Sequence, residues 1–229
     1  MIDLQLREEF RGKRLKGTTV DFTNQSKTGA LDIHAAEFLK ITYPSVDLLK
    51  AIEANGPEQS RPVVLLGDRG QGKSHLLAAL YHLCTNPDVG GQWLAEWSDR
   101  LNNPLIGSLK LRSGCCVIAE SLHLHRHKHL WDILFKHHPK GERLLGKWEG
   151  MGEKRTNLPS YDLLVEMFTD TPTVLILDEF QTWYDGLTHT RQQPSQAWAF
   201  NFIQILSEIA QKSPELLSQL SGYKSKSIN

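Results

Sequence analysis

Along the chain, short apolar runs alternate with stretches whose apolar residues recur every three or four positions. That pattern predicts buried strands separated by helices. The runs are residues 62–66 (PVVLL), 115–119 (CCVIA) and 173–177 (TVLIL), compact enough for strands covered on both faces. Between His34 and Ala54, the positions Ala35, Phe38, Leu39, Val46, Leu48, Leu49 and Ile52 predict two short helices broken at Tyr43 and Pro44. Residues 73–84 carry Leu76, Leu77, Leu80 and Leu83 on one face, which predicts a helix. A glycine break at 90–91 precedes a Trp-bearing segment, 93–105, of helical character. Further helices are predicted over 129–135, over 161–169 with Ser160 as N-cap, and over 195–211. In the last of these Trp198, Phe202, Ile205, Leu206 and Ile209 make a core-facing stripe. Residues 139–159 have the look of a Gly/Lys loop.

The expected layout is an N-terminal arm over 1–33, a core over 34–211 and a frayed tail over 212–229. Strands alternating with helices predict an α/β fold, a mostly parallel sheet flanked by helices. No internal repeat is visible.

Composition narrows the partners. The 229 residues carry 26 basic and 26 acidic side chains, so no global field draws the chain to nucleic acid or an anionic membrane. DNA contact is possible but would need a local patch or a partner. Cys84, Cys115 and Cys116 are odd in number and two are adjacent, which disfavours a structural disulfide and suits a reducing compartment. The charged N-terminus has no apolar signal core, and no apolar run approaches the roughly 20 residues of a membrane helix. The expected location is cytoplasmic, away from the membrane.

The chemistry concentrates at residues 67–74, GDRGQGKS, which fit the phosphate-loop (Walker A) pattern G-x-x-x-x-G-K-S/T without a mismatch. Chance gives such a match in on the order of 1% of chains this long. Its position after an apolar strand and before an amphipathic helix makes accident rarer still. Gly67, Gly70 and Gly72 allow backbone N–H groups to turn inward around phosphate oxygens. Asp68, Arg69, Gln71 and His75 complete the candidate nucleotide-binding segment. Lys73 would meet the β- and γ-phosphates, and Ser74 would give its hydroxyl to Mg²⁺ at the positive end of the helix.

Downstream, the run 173–177 delivers Asp178 and Glu179 at its C-terminal end, the side on which open α/β sheets bind ligands. In a Walker B role Asp178 would hold Mg²⁺ through water, and Glu179 would polarise the water that attacks the γ-phosphate. A solvated carboxylate pair ending a strand is the plainer alternative. Glu beside Asp favours hydrolysis over phosphoryl transfer to a metabolite, which leaves a small-molecule or protein kinase as a lesser alternative. The expected ligands are ATP and Mg²⁺.

Other features carry less. His123, His125, His127 and His129 alternate and would share one face of an extended strand, as a divalent metal requires, but Arg126 and Lys128 interleave. A solvated loop or strand end is the commoner use. Cys115 and Cys116 suit core packing. Trp148, Trp183 and Tyr184 could stack on a base, although packing is the commoner role for such rings.

Beyond the loop and DEFQTWYDGLT (178–188), the segments FRGKRLKGT (10–18), ITYPS (41–45), ESLH (120–123), LWDILF (130–135), GKWEG (146–150) and WAFNFIQILSEIA (198–210) add detail. With these the chain resembles the N-terminal ATPase region of domain-of-unknown-function family 499, AAA-like P-loop ATPases of the ASCE division. The likeness runs from about residue 7 to 215. It implies an ATP-driven component of a phage-defence or DNA-modification system, with partner proteins from that system, and an oligomer is compatible with the full-length family. It implies Lys73 and Ser74 as nucleotide and Mg²⁺ residues, Asp178 as metal carboxylate, Glu179 as base, and residues 41–45 near the adenine.

The departure lies at the C-terminus. In this class a sensor strand follows the Walker B strand and inserts between the two motif strands. LLSQLSGYKSKSIN (216–229) lacks a β-branched apolar run to supply it, so an empty lane is expected. Arginine finger and helical lid are also unaccounted for. The expectation is a truncated product that binds nucleotide weakly and turns it over poorly, and a non-catalytic interaction module is the alternative.

Overall fold

The computed structural model describes residue 22, residues 29–57, 61–124, 127–187 and 195–212, and the backbone of 216–223. Two short helices come first, α1 (Ala35–Lys40) and α2 (Val46–Ala54). Ser45 caps α2 by accepting from the Leu48 N–H at 3.3 Å, so the chain breaks at Tyr43-Pro44 and restarts at once. Strand β1 (Val63–Gly67) leads through the 67–74 loop into α3 (Lys73–Thr85), α4 (Pro87–Arg100) and α5 (Pro104–Gly107). Next come β2 (Cys116–Ser121), α6 (Trp131–His137), α7 (Gly141–Glu149), a 3-10 turn at Gly152–Lys154 and α8 (Tyr161–Phe168). Strand β3 (Thr173–Asp178), α9 (Phe180–Asp185), α10 (Ser195–Lys212) and β4 (Leu216–Tyr223) close the order.

The four strands form one parallel sheet in the order β1-β4-β3-β2. Strand β4 therefore occupies the lane between β1 and β3, where an empty lane was expected. Leu220 stands level with Val64 on one side and Leu177 on the other. The frayed tail is corrected to a central strand over 216–223. The physical reason is that a central strand can bond its backbone to both neighbours, and this outweighs the weak β-propensity of its Ser, Gln and Gly.

Strand alternation divides the core in two. Val174 and Ile176 of β3 face one cluster with Leu77, Leu80 and Leu83 of α3 and Phe38, Leu48 and Ile52 of the first two helices. Leu175 and Leu177 face the other, with Ile133 and Leu134 of α6, Leu164 and Phe168 of α8, and Phe202 and Leu206 of α10. The protein is thus a mixed α/β structure with a small parallel sheet flanked by helices. On β1, Leu65 packs into the first cluster while Val64 and Leu66 stay exposed on the opposite face.

Three local expectations are corrected. The helix α4 runs through Gly90 and Gly91 without a break and ends at Arg100. A Cβ on Gly90 would lie 2.5 Å from Leu111 Cδ1 and 2.8 Å from Leu83 Cδ2, so this glycine lets helix and neighbours close up. Residues 141–149, expected in a loop, form α7 because Leu144 and Trp148, one turn apart, bury against α6. Within the expected arm, Phe22, Ala30 and Leu31 are core residues, and His82 Nε2 donates to the Ala30 carbonyl at 2.8 Å. These three pack singly rather than periodically, so no repeat betrays them. Residues 1–21 lie outside the described part.

Candidate functional site

The loop after β1 is shaped by its glycines. Gly70 and Gly72 take left-handed backbone angles, φ 78° and 79°, which side-chain-bearing residues avoid. Gly72 is the N-cap of the 13-residue α3, whose N-terminal amides therefore open onto the loop. Lys73 Nζ curls back to donate to the Gly67 and Asp68 carbonyls, both at 2.9 Å. Gln71 Oε1 accepts from the Asp68 N–H at 3.1 Å, inside the same turn. A Cβ on Gly67 would meet that oxygen at 2.3 Å, so Gly67 makes room for the Gln71 amide. Arg69 is exposed at the loop's rim, while Ser74 and His75 are half-buried at the head of α3.

Residues 41–45 pack beside that helix head. Thr42 Oγ1 donates to the Phe38 carbonyl at 3.0 Å, and His75 Nε2 lies 3.0 Å from the same hydroxyl oxygen, which accepts. The His75 ring also stacks on Phe38, centroids 4.8 Å apart. Burial pushes the His75 pKa below the ordinary imidazole value, keeping the ring neutral. Tyr43 is exposed and meets Trp97 of α4 edge-on at 5.2 Å.

The second half of the site comes from β3. Asp178 shares its sheet face with Val174 and Ile176, the face that packs on α3. It is 3% exposed, and its Oδ1 accepts from the Glu179 N–H at 2.9 Å. Across β4 it stands one residue beyond the level of Val64, so it and the 67–74 loop share the C-terminal edge of the sheet. Two strands with one lane between them lie roughly 9–10 Å apart. Glu179 turns the chain sharply, at φ 57° and ψ 33°, and opens α9. Its Oε2 accepts from Thr182 Oγ1 at 2.9 Å.

The structure thus brings Gly67, Asp68, Arg69, Gly70, Gln71, Gly72, Lys73, Ser74 and His75 together, with Asp178 and Glu179 at the same sheet edge. As a donor set they fit a phosphate chain and a hard cation. The loop offers the free amides at the head of α3 and the Lys73 ammonium, and the set adds the Ser74 hydroxyl and the buried Asp178 carboxylate. The Lys73 ammonium bridging two carbonyls shows that the cation is held inside the loop.

The described members of the histidine series do not gather as one set of metal ligands, although His123 and His127 line one cleft. His123 is exposed in a turn, His129 stacks on Trp131 with centroids 4.3 Å apart, and His125 lies outside the described residues. His127 Nε2 lies 3.4 Å from Glu120 Oε1, and His137 Nε2 lies 3.8 Å from Oε2. Among the described residues no three His, Cys, Asp or Glu side chains gather as a metal site. The three cysteines are free thiols, and burial pushes Cys84 up to about 12. Trp148 and Trp183 are interior rings, packed on Phe135 and Phe180.

Thr182, whose hydroxyl reaches the Glu179 carboxylate, belongs to no chemical motif of the sequence. The only signal for Thr182 was its spacing of three from Glu179, which means contact only if a helix starts there. No helix among the described residues is long and apolar enough to cross a membrane. No protein-family model, no curated protein and no solved structure matches the chain.

Proposed function

We propose that the chain is an ATP-binding domain of the AAA-like P-loop class that hydrolyses ATP. One observation carries the reading. The loop with left-handed Gly70 and Gly72 and Lys73 at the head of α3 shares a sheet edge with the buried Asp178, with one strand between them. The resemblance to family 499 supports a role in a phage-defence or DNA-modification system, with partner proteins rather than a small metabolite as its context.

In the reaction, the loop amides and Lys73 hold the phosphates in place. Lys73 would exchange its bonds to the Gly67 and Asp68 carbonyls for the β- and γ-phosphate oxygens. A Mg²⁺ ion, held by Ser74 Oγ and through water by Asp178, would neutralise charge on those oxygens. Glu179 takes the proton of the attacking water as its oxygen bonds to the γ-phosphorus. The bond to the bridging oxygen breaks, and its electron pair leaves on ADP. Residues 41–45 are tied to His75 at the head of α3 through Thr42, and the resemblance to family 499 supports a place for them near the adenine.

The test has two arms. Mg²⁺-ATP should raise the melting temperature of the wild type and not that of Lys73→Ala. Phosphate release should be abolished in Glu179→Gln while nucleotide binding survives. Label from the γ-phosphate appearing on anything but water would overturn hydrolysis in favour of a kinase. Binding without phosphate release would leave a non-catalytic module.

A further inference from the structure

We propose that Thr182 is a positioning residue for Glu179, fixing its carboxylate for work on the attacking water; this rests on the hydrolytic reading above. Glu179 is exposed at the point where β3 gives way to α9. An exposed glutamate ordinarily samples several rotamers, and only some aim the carboxylate at a γ-phosphate. Here one oxygen is taken. Thr182 Oγ1 donates to Glu179 Oε2 at 2.9 Å from one turn along the helix. That bond restricts rotation of the carboxylate about its last carbon–carbon bond.

The helix that carries this hydroxyl is itself held. Trp183, the next residue, is 7% exposed, and its Nε1 donates to the His127 carbonyl at 2.9 Å. Phe180 stacks on Tyr184, ring centroids 5.7 Å apart. The helix that carries Thr182 is therefore anchored to the segment following β2. Glu179 keeps a left-handed backbone, a conformation costly for a residue with a side chain, which sets the direction in which its side chain leaves the strand end. Backbone turn, Thr182 hydroxyl and Trp183 anchor together define where the carboxylate sits. The water proton passes to Glu179 and the electron pair of the broken P–O bond leaves with ADP.

Thr182 is exposed, so Thr182→Val removes the hydroxyl at nearly constant shape without touching the core. Full-length Thr182→Val should lose about tenfold in kcat, while KM and the Kd for Mg²⁺-ATP stay within about twofold. Thr182→Ser should return turnover to within about threefold of wild type. Unchanged kcat in Thr182→Val overturns the proposal, as does a serine variant as slow as the valine one. An equal loss of nucleotide affinity also overturns it. A wild type with no Lys73-dependent turnover fails differently, because it removes the hydrolytic reading and this proposal together.

Discussion

Gln71 Oε1 accepts from the Asp68 N–H at 3.1 Å, so a side-chain oxygen of the loop holds one of the loop's own backbone amides. On the proposed reading, a phosphate seated in the loop would compete with that oxygen for the Asp68 N–H. Gln71→Ala removes the competitor, and one neutral hydrogen bond is worth about 0.5–1.5 kcal/mol. The variant should bind Mg²⁺-ATP at least as tightly as wild type, up to about tenfold tighter, in a calorimetric titration. Weaker binding would mean that Gln71 contacts the ligand instead.

Strand β4 is the element on which the sheet depends. Leu220 pairs with Val64 and Leu177 at once, so Leu220→Pro loses ladder bonding from the centre of the sheet. The expected outcome is a large fall in melting temperature, with faster amide exchange at 63–67 and 173–178. Unchanged exchange in β1 and β3 would place β4 elsewhere.

Gly141 begins α7 under the end of α6, where a Cβ would lie 2.1 Å from the Phe135 carbonyl oxygen and 2.7 Å from its carbon. Backbone cannot swing aside as a side chain can. Gly141→Ala should destabilise the protein by about 1–3 kcal/mol in urea unfolding, despite the better helix propensity of alanine. Gly91→Ala, in the middle of α4 with nothing within 4 Å of a Cβ, should be neutral or slightly stabilising.

His138 gives the fold a pH dependence. Its Nδ1 accepts from the Lys140 N–H at 3.1 Å, and its Nε2, 3.2 Å from Thr173 Oγ1, must then carry the proton. Burial, and next the Lys140 charge, lower its pKa from 6.5 to about 4. The folded state therefore holds the neutral ring while the unfolded chain protonates it. Stability from this group is complete above pH 6.5 and is lost as pH falls from there to about 4. The loss reaches about 3 kcal/mol at most, at 1.36 kcal/mol per unit. His138→Asn keeps the acceptor for Lys140 and should flatten that part of the curve.

The geometry of the candidate site was legible because its information is local. Gly70, Gly72 and Lys73 act through backbone angles and a helix start within eight residues, and strand alternation carries Asp178 to the same face as Val174 and Ile176. The sheet centre was not legible. Strand β4 is held by partners more than 35 residues away on either side, and nothing in Leu216, Leu217 and Leu220 announces them. Helix α7 was hidden by Gly141, Gly146 and Lys147, which disguise the pair Leu144 and Trp148. Thr182 was hidden for another reason: its hydroxyl meets Glu179 only because Glu179 turns left-handed and starts a helix.

The central claim is that the 67–74 loop holds the phosphates of ATP. Calorimetric titration of Mg²⁺-ATP into the 229-residue protein and into Lys73→Ala tests it most directly. Charge-assisted bonds are worth about 1.5–3 kcal/mol, so one site per chain in the wild type should weaken at least about tenfold in the variant. No binding by the wild type, or equal affinity in the two proteins, would contradict the account.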